Sequence, residues 1–255
     1  MTTRELTLTA LPGMPEVEPK APLAELLLAA VKRAEKVLEP GDVLVIAQKI
    51  VSKAEGRICR LAEVTPSQKA LELAKVADKD PRLIELILRE SRAVLRVKPG
   101  VIIVEHSLGF VMASAGVDQS NVPAHGEEIA LLLPQDPDAS ARRIREEIRH
   151  ACGAAVGVVL NDSFGRAWRN GVTGVAIGVA GIPALVDLRG RPDREGRPLH
   201  VTQVAAADEL AAAASLIMGQ ADEGLPAVLV RGFPYDQRES AALELVRPRA
   251  EDMFR

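Results

Sequence analysis

Ala154-Ala155-Val156-Gly157-Val158-Val159-Leu160 followed by Asn161-Asp162-Ser163-Phe164-Gly165-Arg166-Ala167-Trp168-Arg169-Asn170-Gly171 is the most informative passage of this 255-residue chain. The first seven residues read as a buried strand, since a short unbroken apolar run fits a strand covered on both faces. An acid, a hydroxyl, two arginines and two glycines then stand at its C-terminal end. Binding groups in mixed α and β proteins gather at such edges. The chain has four Phe, one Tyr and one Trp, and Phe164 and Trp168 both fall in this passage, where they either stack on a ring or fill the core.

Outward from that strand, helices and strands alternate irregularly. Residues 22–38 read as an amphipathic helix, with Leu23, Leu26, Leu27, Ala30, Val31 and Val37 at helical spacing. Val43–Ala47 reads as a second buried strand, and 66–77 and 81–91 as two further helices. Val94–His106 and Leu108–Ala115 read as two strands joined by a short turn, and Pro123–Asp138 as loop-rich. Ser140–His150 reads as a charged helix with Ser140 as its N-cap. Gly171–Gly181, rich in small residues, reads as a strand pressed against another backbone, because glycine permits that approach. Val204–Met218 reads as an Ala-rich helix, Pro226–Val230 as a strand and 239–254 as a terminal helix. Strict βαβ alternation is missing, so the pattern predicts an α+β fold rather than a doubly wound sheet.

Composition narrows the function. Hydrophobic residues make up 47% of the chain and the net charge is −3, which gives no bulk electrostatic case for nucleic acid. No uncharged apolar run is long enough to span a bilayer, and the N-terminus lacks the apolar core of a signal peptide. Cys59 and Cys152 lack metal-ligand spacing and read as reduced, mostly buried thiols, which fits a cytoplasmic location. His106, His125, His150 and His200 are scattered and read as structural or exposed.

Five groups could carry chemistry. Gln48-Lys49-Ile50-Val51-Ser52-Lys53 follows the strand at 43–47. It is either an exposed charged turn or a phosphate contact, and it is no P-loop, because the Gly-rich run is missing. Ala115-Gly116-Val117-Asp118-Gln119-Ser120-Asn121-Val122 is either a polar turn or a source of hard oxygen ligands, with Asp118 a candidate for Mg²⁺ or Mn²⁺. Asp162 and Ser163 would add a carboxylate and a hydroxyl. Arg166 and Arg169, and the run containing Arg189, Arg191, Arg194 and Arg197, are candidate anion clamps or solvated charges. Met218-Gly219-Gln220-Ala221-Asp222-Glu223-Gly224-Leu225 is either a helix cap and turn or a glycine-bearing ligand loop. This inventory of acids, lysines and glycines suits phosphoryl chemistry with a divalent ion.

Taken in order, Gly13-Met14-Pro15-Glu16, Gly41–Val45, Ser52–Arg57, Ala115–Val122, Asp162–Arg166, Gly174–Gly178 and Leu216–Gly219 resemble the coenzyme F420-0:L-glutamate ligase family. The resemblance implies an unusual α+β ligase fold, with mixed, largely antiparallel sheets and flanking helices, forming an intertwined homodimer. It implies one catalytic unit over 1–255, in one or two interleaved subdomains, without the C-terminal nitroreductase-like domain of some members. The implied reaction adds L-glutamate to F420-0 with GTP as co-substrate, through an acyl phosphate, releasing GDP and phosphate. Met14, Pro15, Glu16, Val17, Gln48, Lys49, Lys53, Asn121 and Met218–Leu225 (Met218, Gly219, Gln220, Ala221, Asp222, Glu223, Gly224, Leu225) resemble the GTP site, with Lys53 facing phosphate. Asp118 and Asp162 resemble ligands of one Mg²⁺ or Mn²⁺, and Ser163 and Gln220 ligands of a second, with K⁺ a candidate monovalent helper. Gln220 stands where an acid can occur in the family, and Ser163 where Thr can. Asp118, Asp162 and Lys53 are the expected catalytic set. Two alternatives stay open at this stage: a non-catalytic GTP- and metal-binding homologue, and an amide ligase for a different carboxylate.

Overall fold

The computed structural model describes residues 4–121 and 127–254; Val122 and His125 lie outside the described residues. In chain order the strands are β1 (Thr7–Ala10), β2 (Val43–Ala47), β3 (Ile58–Arg60), β4 (Ser91–Lys98), β5 (Val101–His106), β6 (Val111–Ala113), β7 (Ile129–Leu131), β8 (Gly157–Arg166), β9 (Arg169–Ala180), β10 (Val186–Asp187), β11 (Gln203–Val204) and β12 (Ala227–Arg231). The helices are α1 (Leu23–Arg33), α2 (Gln48–Ala54), α3 (Gln68–Ala77), α4 (Pro81–Arg89), α5 (Pro137–Cys152) and α6 (Ala206–Met218).

A five-stranded sheet in the order β1-β12-β2-β8-β9 forms the centre. Only β2 and β8 pair in parallel, with Val43 opposite Gly157 and Ala47 opposite Asn161; the other pairs in this sheet are antiparallel. Val43, Leu44, Val45 and Ile46 are all fully buried, which explains why β2 reads as a continuous apolar run rather than an alternating one. The large core joins this sheet to α1, α5 and α6 through side chains such as Leu27, Ile144 and Leu210. Between β2 and β8 the chain leaves the sheet. It builds the antiparallel β4-β5-β6 sheet with α3 and α4, around Ala70, Ala74, Ile84, Ile87, Ile102 and Val104. The fold is α+β, as the pattern predicted, with antiparallel pairing dominant, as the family resemblance implied.

Several boundaries differ from expectation, each for a local reason. α1 stops at Arg33 and Glu35 turns left-handed at φ 55°, so Val37 falls outside the helix, 77% exposed. Residues 94–106 are not one strand but part of the β4–β5 hairpin, which bends at Gly100 with φ 82°. α5 begins earlier than Ser140. Asp136 caps it by accepting from the Ala139 amide at 2.9 Å, Pro137 opens the first turn, and Ser140 lies inside the helix. Gln48–Ala54 is a helix rather than a charged turn. The terminal segment forms two short 3₁₀ turns, Ala242–Leu245 and Arg249–Glu251, and no long helix. Buried Ser240 pins it, accepting from the Ala184 amide and donating to the Ile182 carbonyl. Cys152 is exposed rather than buried, and Cys59 is half-buried; both are free thiols.

Two glycines of β9, Gly174 and Gly178, are close-approach positions of the kind the small-residue run predicted, while Gly171 has open space around it. A Cβ on Gly174 would overlap the Ala211 carbonyl of α6, and one on Gly178 would overlap the Pro137 carbonyl of α5. Gly165, by contrast, has open space around it. Gly174→Ala is therefore expected to destabilise the protein by about 1–3 kcal/mol, and Gly165→Ala by no more than about 0.5 kcal/mol. Urea unfolding of the two variants side by side measures the difference; equal midpoints would contradict this account of how α6 packs on β9.

Candidate functional site

Because β2 and β8 run in parallel, their C-terminal ends open at the same edge of the sheet. The residues that follow them, Gln48–Lys53 on α2 and Asn161–Ser163 on β8, therefore lie side by side. Met14–Val17, Asp118–Asn121 and the loop Met218–Pro226 close around them to form a cavity of about 550 Å³. Every residue expected in the nucleotide site and every expected cation ligand lines this one cavity.

The charged groups are held by specific bonds. Lys53 is almost fully buried, and its Nζ donates to Glu16 Oε1 at 2.5 Å. Lys49 Nζ lies 2.7 Å from Asp118 Oδ2 and donates to Ser120 Oγ at 2.6 Å. Ser120 is fastened to Asp118 in turn, donating its amide to Oδ1 at 2.8 Å and its hydroxyl to Oδ2 at 2.9 Å. Burial raises the Asp118 pKa, but the bonds from Lys49 and Ser120 outweigh it and the net shift is downward. Gln48 is buried and accepts from Ser52 Oγ at 2.8 Å. Ser163 Oγ donates to Gln220 Oε1 at 2.8 Å, and Asn121 Nδ2 donates to the Ala221 carbonyl at 3.2 Å. Those two bonds tie the loop over the cavity to β8 and to the Asp118 segment.

Asp162 is the most perturbed acid of the site. Part of its surface faces the cavity, yet protein packs around it on nearly every side. Desolvation pushes its pKa up to about 6, with Asp118 adding to the rise and the Ser163 amide, Lys49 and Gln48 opposing it.

The expected clamps and aromatic contacts lie elsewhere. Arg166 and Arg169 are cross-strand partners where the β8–β9 hairpin turns, both exposed, and neither lines the cavity. Trp168, between them at φ 58°, is 84% exposed and packs against Phe254 with ring centroids 5.4 Å apart. Phe164 meets Phe110 edge-on in the core. Arg189 is bound by its neighbour Asp187 through both carboxylate oxygens, and Arg197 by Asp193 at 3.1 Å. Arg191 is exposed, and this loop also lies outside the cavity lining. Buried His106 is held neutral, its pKa pushed down to about 4 by burial and then by Arg57 and Arg92, while His150 and His200 are exposed.

Five lining residues lie outside the expected site set: Ala47, Ile50, Ser120, Asn161 and Pro226. Of the two polar ones, Ser120 belongs to the Asp118 motif but carries no distinctive signal of its own in a polar turn. Asn161 is buried, donates to Ser215 Oγ at 3.1 Å, and marks the last strand position before the acid.

The donor set suits a hard divalent cation. Five carboxylates, Glu16, Asp118, Asp162, Asp222 and Glu223, line the cavity against two ammonium groups, Lys49 and Lys53. A polyphosphate would be repelled from that surplus unless cations came with it. Among the described residues no group of three or more His, Cys, Asp or Glu side chains is placed to hold a metal by itself.

Acids, acid-paired lysines and a glycine-bearing loop meet in one cavity at the edge of the sheet where β2 and β8 end, an inventory that suits anionic ligands. The sequence model of the F420-0:gamma-glutamyl ligase family matches residues 13–232, and the chain belongs to that family. It is 46% identical over 252 residues to the coenzyme F420:L-glutamate ligase of Methanothermobacter thermautotrophicus, covering 98% of this chain and 99% of that one. The protein of the same name from Methanopyrus kandleri is 46% identical over 244 residues, 94% of each chain. That from Archaeoglobus fulgidus is 43% identical over 244 residues, 95% of this chain and 94% of the relative. Among the described residues no helix is long and apolar enough to cross a membrane.

The Asp162 pKa has a testable sign. Its folded value, about 6, lies above the ordinary aspartate value of 3.8. The stability this group contributes is therefore complete below the unfolded pKa and is lost as pH rises through 6. In metal-free protein, Asp162→Asn should be more stable than wild type at pH 8, by about 1–2 kcal/mol, and the difference should vanish near pH 4. Urea unfolding in the presence of a chelator measures it; a less stable variant at pH 8 would contradict the assignment of burial as the dominant cause.

Proposed function

We propose that the chain is a GTP-dependent ligase that joins L-glutamate to the deazaflavin coenzyme F420-0 through a γ-glutamyl amide. The observation that carries this reading is the convergence of Lys49, Lys53, Asp118 and Asp162 from separate segments on one acid-rich cavity. The names of the family and of its relatives supply the reactants.

A carboxylate is a poor acyl donor because its oxygen is a poor leaving group. In the proposed route an oxygen of the terminal F420-0 carboxylate attacks the γ-phosphorus of GTP, the bond to GDP breaks and an acyl phosphate forms. The amine of L-glutamate then attacks the acyl carbon, the carbon–oxygen bond breaks, phosphate departs and the amine gives up a proton. Lys53 and Lys49 bind and orient the phosphates, and Lys53, buried and fixed at its base in α2, loses little freedom in doing so. Asn121, Gln48 and the Met218–Leu225 loop enclose the nucleotide. Asp118 and Asp162 would hold one Mg²⁺ or Mn²⁺, and Ser163 and Gln220 a second. Bound there, such ions supply neutralisation of the phosphate charge. Arg166, Arg169, Arg189 and Arg191, outside the cavity lining, remain candidates for the acceptor's anionic groups. A homodimer, a cytoplasmic location and a K⁺ requirement belong to the same reading.

Incubation with F420-0, GTP, Mn²⁺ and L-glutamate, followed by mass spectrometry, tests it. The expected product is one glutamyl unit heavier and appears with GDP, and Asp162→Asn should lower the rate by about 10²-fold or more. GTP binding without any heavier product would favour a non-catalytic homologue. Glutamate-dependent GDP release only with another carboxylate would favour a different acceptor.

A further inference from the structure

Every hydrogen of the Lys49 ammonium is already committed. Nζ faces Asp118 Oδ2 at 2.7 Å, Ser120 Oγ at 2.6 Å and the Ser120 carbonyl at 3.3 Å, and an ammonium has three donors. The same charge also acts on Asp162. Lys49 is therefore the counter-charge shared by the two carboxylates. Lys53, the cavity's other ammonium, is committed to Glu16.

A divalent cation held by Asp118 would compete with this ammonium for the carboxylate. Two positive charges within about 4–5 Å repel by several kcal/mol even at an effective dielectric constant of 20, so a cation there weakens the hold of Asp118 on Lys49. Lys49 is the second residue of α2, and its flexible four-carbon stem lets the ammonium move while the helix stays in place. Once displaced, it is an unpaired cation on the wall of a cavity that takes phosphates.

We propose that Lys49 is a positioning residue that exchanges Asp118 for a nucleotide phosphate when the divalent cation enters, so that cation and nucleotide bind cooperatively. The inference rests on the cavity being a cation and nucleotide site, and it adds an order to events there. Metal-free protein keeps Lys49 on Asp118 and so lacks one phosphate contact. Cation binding creates that contact, and by linkage the nucleotide must tighten the cation by the same factor.

The test is Mn²⁺ binding to the full chain, followed by electron paramagnetic resonance of free Mn²⁺, with and without GDP. Without nucleotide, Lys49→Gln should bind Mn²⁺ about tenfold more tightly than wild type, because the competing charge is gone. Lys49→Arg keeps the charge and should stay within about threefold of wild type. In Lys49→Gln the tightening of GDP by Mn²⁺ should shrink by at least about fivefold. Unchanged or weaker Mn²⁺ binding by Lys49→Gln, with Lys49→Arg folded and wild-type-like, would overturn the exchange and leave the cation site standing. Failure of wild-type protein to bind Mn²⁺ even with GDP, or wild-type-like Mn²⁺ binding by Asp162→Asn, would overturn the cation site and the exchange with it.

Discussion

The parallel pairing of β2 with β8 is the constraint on which the rest of the site depends. It places Ala47 opposite Asn161, so the first turn of α2 and the polar end of β8 leave the sheet together. An antiparallel pair would send Lys49 and Asp162 to opposite edges. Antiparallel β12 completes the arrangement, because the loop before it, Met218–Pro226, returns to the edge where β2 ends. The segment 91–116 is built outside this sheet on its own small core, and the chain then passes back through Asp118. The excursion brings a second carboxylate over the edge without interrupting the sheet.

Charge balance follows from that geometry. The cavity collects more carboxylates than ammonium groups, and the protein holds them by pairing Lys53 with Glu16 and Lys49 with Asp118 and by leaving Asp162 half-suppressed as an acid near pH 6. This arrangement is costly for the folded chain alone, since a desolvated carboxylate with its pKa raised opposes stability at neutral pH. A divalent cation, as proposed, would offset that cost. Protein packing tolerates such local penalties when the surrounding core is firm, and here Val43–Ile46 of β2 and Val158–Leu160 of β8, the strand segments beneath the site, are fully buried.

Much of this was legible from the residues alone, and the rest was hidden for physical reasons. The apolar runs at 43–47 and 154–160 announced the central strands, and the glycines of β9 announced close packing. β8 runs on to Arg166 because its partner β9 extends with it beyond the core, and an exposed hairpin leaves no apolar pattern to read. The expected terminal helix at 239–254 does not form because tertiary bonds to Ser240 and to the Ala242 amide hold that segment in place. The lining residues come from five separate segments, and no local pattern joins them. The ordered motifs of the family resemblance brought them together, whereas the arginines, chosen by charge alone, lie outside the cavity. Arg189 shows why: a neighbouring acid already satisfies it, and local ion pairing is invisible to a reading that counts charges.

The central claim is that this sheet edge activates a carboxylate by passing a phosphoryl group to it. F420-0 carrying ¹⁸O in its terminal carboxylate, incubated with the protein, GTP, Mn²⁺ and L-glutamate, tests that claim most directly. The account predicts one ¹⁸O atom in the inorganic phosphate for each amide formed. Amide formation accompanied by unlabelled phosphate would contradict it.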